Sequence, residues 1–194
     1  SRINRMIQAA QFVNDVATDA RVFRAPGRVN IIGEHTDYND GLVLPTNTAL
    51  YTWLAIKPRT DRVVSVLAKN FEKQRDFNLD AIEPSNKPEW IDYLKGVCAE
   101  IEATGITLCG AEIVIHGEIP IGGGLSSSAS LELVMATAML AISDASLPAQ
   151  EIAKLCQRAE HTFAGVNCGI MDQFSIPCCG EGQAILLDCR SLDT

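Results

Sequence analysis

The sequence is short of positive charge. Its 16 Lys and Arg face 24 Asp and Glu, a formal net charge of −8, and like charge repels phosphate across the Debye length, which argues against nucleic-acid or anionic-membrane partners. It also lacks a long apolar run: stretches such as LVMATAMLAIS cannot span a bilayer, and the opening SRINRMIQAA has no apolar core of a secretory signal. A cytoplasmic protein is therefore expected. Paired C-x-x-C spacing is absent from the seven cysteines (98, 109, 156, 168, 178, 179 and 189), so neither a zinc site nor a disulfide framework is favoured and free thiols are expected. The three histidines, 35, 116 and 161, form no H-E-x-x-H, which speaks against a transition-metal site. No repeat, low-complexity tract or linker divides the chain, and one domain is expected over its 194 residues.

What is present is patterned. Apolar residues make up 47% of the chain, enough for a sizeable core. Ile3, Met6, Ile7, Ala10 and Val13 recur at a helical period and predict a first helix within NRMIQAAQFVNDV. Runs at 22–23, 29–32, 50–56 and 63–67, separated by Pro, Gly, Asn and Asp, predict strands of a mostly antiparallel sheet. A helix fits KPEWIDYLKGVCAEIEATG, with Trp90, Leu94, Val97 and Ile101 on one face and Gly105 as its stop. AEIVIHG alternates as a half-buried strand, LSSSASLELVMATAMLAIS reads as a helix buried in the interior, and a further helix is predicted over 148–164, ended by Gly165. QAILLDC is the last expected strand, and the mixture of hairpin-type strands and helices makes the fold class α+β.

Between a strand and the buried helix lies HGEIPIGGGLSSSASLELV, with three glycines and then three serines. Glycines let backbone N–H groups approach an anion, and the first turn of a helix adds free N–H groups and the positive end of its dipole. It is not a Walker loop, which needs Lys after the final glycine where Leu125 and Ser126 stand, nor a dinucleotide fingerprint, which needs glycine at Ser127. Taken alone, the loop reads equally as a flexible turn capped by serine.

Three stretches together carry more. APGRVNIIGEHTDYNDG at 25–41, IPIGGGLSSSAS at 119–130 and CGIMDQF at 168–174 resemble, in order and spacing, the signatures of galactokinases in the GHMP small-molecule kinase superfamily. EWIDYLKGV and LLDCRSL look like the same family. The resemblance implies transfer of the γ-phosphoryl group of ATP to the anomeric hydroxyl of α-D-galactose, giving galactose 1-phosphate and ADP. The implied fold is a GHMP-kinase N-terminal domain similar to the second domain of ribosomal protein S5. The family's ferredoxin-like C-terminal domain, with its third, glycine-rich motif, is not found in residues 1–194. The expectation is therefore the sugar- and ATP-binding N-terminal part of a longer, monomeric kinase, inactive by itself.

The resemblance also assigns residues. Asp172 matches the catalytic aspartate, which accepts or orients the anomeric hydroxyl proton, although an aspartate there also suits a helix cap or turn. Arg28 matches the arginine between that aspartate and the γ-phosphate; a surface salt bridge is the plainer alternative. Glu34, His35 and Asp37 match galactose contacts and Gly169 a backbone contact, against the reading of EHTDYND as an ordinary polar loop, which is accepted for Asp40. Gly122, Gly123, Gly124, Leu125, Ser126, Ser127, Ser128 and Ala129 match the ATP phosphate loop. Ser128 and Glu160 match the magnesium ligands, Mg2+ completing its shell with water and phosphate; Glu160 otherwise reads as a helix-surface charge. Trp90 is a candidate for the adenine, or a core aromatic. Rival expectations are a galactose- and ATP-binding sensor without catalysis, a kinase for a related sugar such as N-acetylgalactosamine, and an α+β interaction domain.

Overall fold

The computed structural model describes residues 19–33, 35–180 and 182–194. The first predicted helix, within NRMIQAAQFVNDV, and Glu34 lie outside the described residues. A five-stranded sheet is built from β1 (Arg21–Asn30), β3 (Pro45–Pro58), β4 (Val63–Ala68), β5 (Lys73–Asn78) and β6 (Ala111–Gly117), in the order β1-β3-β6-β4-β5. Short β2 (Leu42–Val43) and β7 (Leu187–Asp188) pair separately. Every pairing is antiparallel except β4 with β6, so the mostly antiparallel expectation holds. The parallel step exists because β5 and helix α1 (Ile91–Ala103) intervene and return the chain in the original direction.

Alternation decides which face is covered. In β4, Val64, Val66 and Ala68 point inward, and in β6 Ala111, Ile113 and Ile115 do so while Glu112 faces out. The inward set packs against Leu94, Val97 and Ile101 of α1 and against helix α2 (Ser127–Ile142), in one continuous core. As predicted, α2 is interior: ten of its residues are buried, Glu132 among them. Helix α3 (Ala149–Ala159) packs against α1 and runs into a wider turn over Glu160–Ala164 that ends at left-handed Gly165 (φ 68°), which matches the predicted stop. Helix α4 (Met171–Cys178) completes the layer.

The differences from expectation have local causes. The runs at 22–23 and 29–32 belong largely to one strand, β1, whose pairing with β3 shifts register between Pro26 and Arg28. That irregularity is where a proline can sit in a ladder. Ile31 and Ile32 leave the strand and are exposed. The expected strand 183–189 shrinks to Leu187–Asp188 plus a single bridge from Ala184 to Thr46. Three elements were not foreseen: the two-residue β2, β5, a polar edge strand with only Phe77 buried, and α4, whose MDQFSIPC has little helical periodicity and contains Pro177. All seven cysteines are free thiols, and no helix among the described residues is long and apolar enough to cross a membrane.

Candidate active site

The irregularity in β1 builds the first half of the site. A Cβ on Gly27 would lie 2.6 Å from the Leu125 carbonyl, so glycine lets β1 press against the glycine–serine loop. There the Arg28 N–H donates to the Leu125 carbonyl at 3.2 Å. The Arg28 guanidinium then reaches in two directions. Nε donates to Asp172 Oδ1 at 2.7 Å and Nη2 lies 2.5 Å from the same oxygen, while Nη1 donates to the Gly124 carbonyl at 2.8 Å. Its side chain is only 13% exposed, so it is not an isolated surface salt bridge. Asp172 caps nothing with its side chain: its Oδ2 accepts from Ser126 Oγ at 2.5 Å.

One open cavity of about 470 Å³ gathers Arg28, His35, Asp37, Gly124, Gly169 and Asp172, and is the polar side of the site. Gly169 has to be glycine, because a Cβ there would collide with the Asp37 carboxylate. His35 is exposed with a left-handed backbone (φ 59°), and its Nδ1 is 2.5 Å from Tyr38 Oη. Asn39 and Asp40 behave as turn residues. The Asn39 amide donates to the His35 carbonyl at 2.7 Å, and left-handed Asp40 leads into a 2.8 Å bond from the Gly41 N–H to the Thr36 carbonyl.

A second, more apolar cavity of about 360 Å³ lies beyond the loop, lined by Trp90, Tyr93, Ile115, Ser127, Ser128 and Leu131 among others. Trp90 is half-buried against the core, and its buried indole N–H has no partner among the described residues. Gly122 and Gly124 are left-handed (φ 72° and 70°) and exposed, which leaves the loop backbone open to a ligand. Ala129 is fully buried, so its backbone alone can serve an anion.

Behind the loop lies a cluster the sequence reading did not anticipate. Glu160 is no surface charge: it is 5% exposed, accepts from Gln173 Nε2 at 2.6 Å and also from the Ser128 hydroxyl and the Cys168 thiol. Gln173 Nε2 reaches Glu132 Oε2 as well, at 3.1 Å. Burial raises the proton affinity of both carboxylates, and for Glu132 the neighbouring Glu160 charge adds to it. Burial, and then Glu160, likewise push the Cys168 thiol up. The signal for Glu132 was a lone carboxylate inside an apolar helix; Gln173 carried none.

The comparisons with known proteins agree with this geometry. Residues 92–180 match the family model of the GHMP kinases N-terminal domain, and residues 10–58 match the galactokinase galactose-binding signature. The chain carries the N-terminal domain of the GHMP kinases together with the galactokinase galactose-binding signature. Galactokinases of Chloroflexus aggregans and of a Roseiflexus species are each 46% identical, over 89% and 88% of this chain, and in both cases over 44% of the relative. The chain thus spans less than half the length of these curated relatives. The crystal structure of Lactococcus lactis galactokinase complexed with galactose superposes with a TM-score of 0.88 at 36% identity, covering 100% of this chain and 50% of that one. A Methanococcus jannaschii mevalonate kinase, 23% identical over 90% of this chain and 55% of its own, shares the fold with a TM-score of 0.77. The α+β architecture is therefore that of GHMP kinase N-terminal domains.

Proposed function

We propose that this chain supplies the sugar- and ATP-binding part of a kinase that phosphorylates α-D-galactose at its anomeric hydroxyl. The observation that carries the reading is the glycine–serine loop lying between two cavities: a polar one at Arg28, Asp37, Gly169 and Asp172, and an apolar one at Trp90, Ser127 and Ser128. Galactose occupies the first, held by Glu34, His35, Asp37 and the backbone of Gly169. Adenine occupies the second, beside the Trp90 ring that lines it. The nucleotide phosphates follow the loop from Gly122 to Ala129.

In the transfer, the anomeric oxygen attacks the γ-phosphorus, its proton passes to Asp172, the bond to the bridging β-oxygen breaks, and ADP leaves. Arg28, held between Asp172 and the Gly124 carbonyl, offsets charge on the migrating group, where positioning and electrostatics account for most of the acceleration. The Ser128 hydroxyl and Glu160 carboxylate, already in contact, are hard oxygen ligands that fit Mg2+, with water and phosphate completing its shell. The ion would neutralise charge on the β- and γ-phosphates.

A coupled ADP-release assay on a form spanning the relatives' full length tests the proposal, with galactose and N-acetylgalactosamine compared. Galactose-dependent ADP release is expected. Galactose binding without turnover would point to a sensor, and preference for the acetylated sugar would overturn the substrate assignment.

A further inference from the structure

Ser126 holds a conformation that suits glycine. It precedes α2 with φ 55° and ψ 51°, in the left-handed region, as do Gly122 and Gly124 in the same loop. A side chain there carries steric strain that glycine escapes. The usual return for serine before a helix is a side-chain bond to the free N–H groups of the first turn, and Ser126 makes none. The backbone does not need it either: the Ser126 carbonyl accepts from the Ser130 N–H at 3.1 Å, a bond glycine would keep. The residue is buried, 8% exposed, and its hydroxyl reaches across the chain to Asp172 Oδ2 at 2.5 Å.

Acceptor counting gives that bond a use. A carboxylate offers about two acceptor directions on each oxygen. On Oδ1 of Asp172, Arg28 Nε donates at 2.7 Å and Nη2 of the same guanidinium crowds against that oxygen at 2.5 Å. On Oδ2 the Ser126 hydroxyl takes one. The carboxylate is gripped from both ends, by a guanidinium on Oδ1 and a hydroxyl on Oδ2, which resists turning about its last torsion and leaves one direction on Oδ2 open.

We propose that Ser126 is a positioning residue for phosphoryl transfer. Its hydroxyl locks the Asp172 carboxylate and leaves one acceptor direction, on Oδ2, for the hydroxyl being phosphorylated. The backbone strain at Ser126 is retained for this purpose. The inference rests on the kinase reading above and adds a residue to it.

The test compares Ser126→Gly and Ser126→Ala in a form spanning the relatives' full length, by thermal melting and by galactose-dependent ADP release. Glycine relieves the strain and keeps the backbone, so S126G should melt at or above the parent temperature, while S126A keeps the strain and loses the bond, and should melt below S126G. Both should lose kcat by roughly 10-fold to 100-fold, as expected for a misdirected catalytic group, with KM for galactose within about twofold of the parent. Parental kcat in S126G would overturn the proposal, and so would a loss confined to KM. A parent enzyme that releases no ADP with galactose is a different result: it defeats the kinase reading first, and this inference with it.

Discussion

Asp172 and Gln173 are neighbours in the first turn of α4, yet they serve two opposite electrostatic regions. Asp172 faces the polar cavity, where its carboxylate meets a guanidinium and a hydroxyl. Gln173 faces the interior, where its side-chain amide joins Glu132 and Glu160. Negative charge in the first region is offset by a full positive charge. In the second it meets an amide, a thiol and a hydroxyl, and burial raises both proton affinities. The paired carboxylate of Asp172 and the unpaired ones bonded to its neighbour Gln173 should therefore answer differently to loss of charge.

Asp172→Asn is the harshest test of that contrast. It keeps shape and removes the proton acceptor, so turnover should fall by roughly 10²–10⁴-fold while galactose binding, read by calorimetry, survives. Near-parental turnover would remove Asp172 from the chemistry. Glu160→Gln comes next. The amide ligates Mg2+ poorly, so the Mg2+ concentration for half-maximal ADP release should rise several-fold, while melting temperature stays level or rises because an unpaired buried charge is gone. An unchanged Mg2+ requirement would show that Glu160 is structural.

The smallest effect belongs to Glu132→Gln and depends on pH. The folded-state proton affinity of Glu132 lies well above the ordinary value of 4.5. Its contribution to stability is therefore complete below that value and is lost as pH rises toward the folded one. A neutral amide does not suffer this loss. E132Q should thus melt above the parent at neutral pH, by a few degrees, with the gap closing as the solution is brought below the ordinary carboxylate range. A gap independent of pH would mean that packing, not charge, decides the position.

Much of this molecule was legible in one dimension. The interior helix α2 announced itself by apolar residues on nearly all sides, and β4 and β6 by alternation. The motif resemblance named Arg28, Asp37, Gly169 and Asp172, which the fold gathers around one cavity. Where the reading stopped, the cause was non-local. α4 has a weak pattern because it buries residues against α3 and the small β2–β7 cluster rather than along one stripe. β5 has a polar sequence because it is an edge strand whose partner supplies the core face.

The sequence by itself determined the resemblance to GHMP kinases, the α+β class and the residue types gathered at the candidate site, because periodicity and short motifs are local properties of the chain. Only the tertiary structure decided how those residues are coupled. It excluded the alternative of a helix-surface charge for Glu160 by burying it, joined it to Glu132 through Gln173, and set the Ser126 hydroxyl on Asp172. Those contacts link residues 13 to 46 positions apart. Burial and hydrogen-bond geometry exist only once the sheet and helices have closed on one another, and it is burial that sets the electrostatics of a carboxylate.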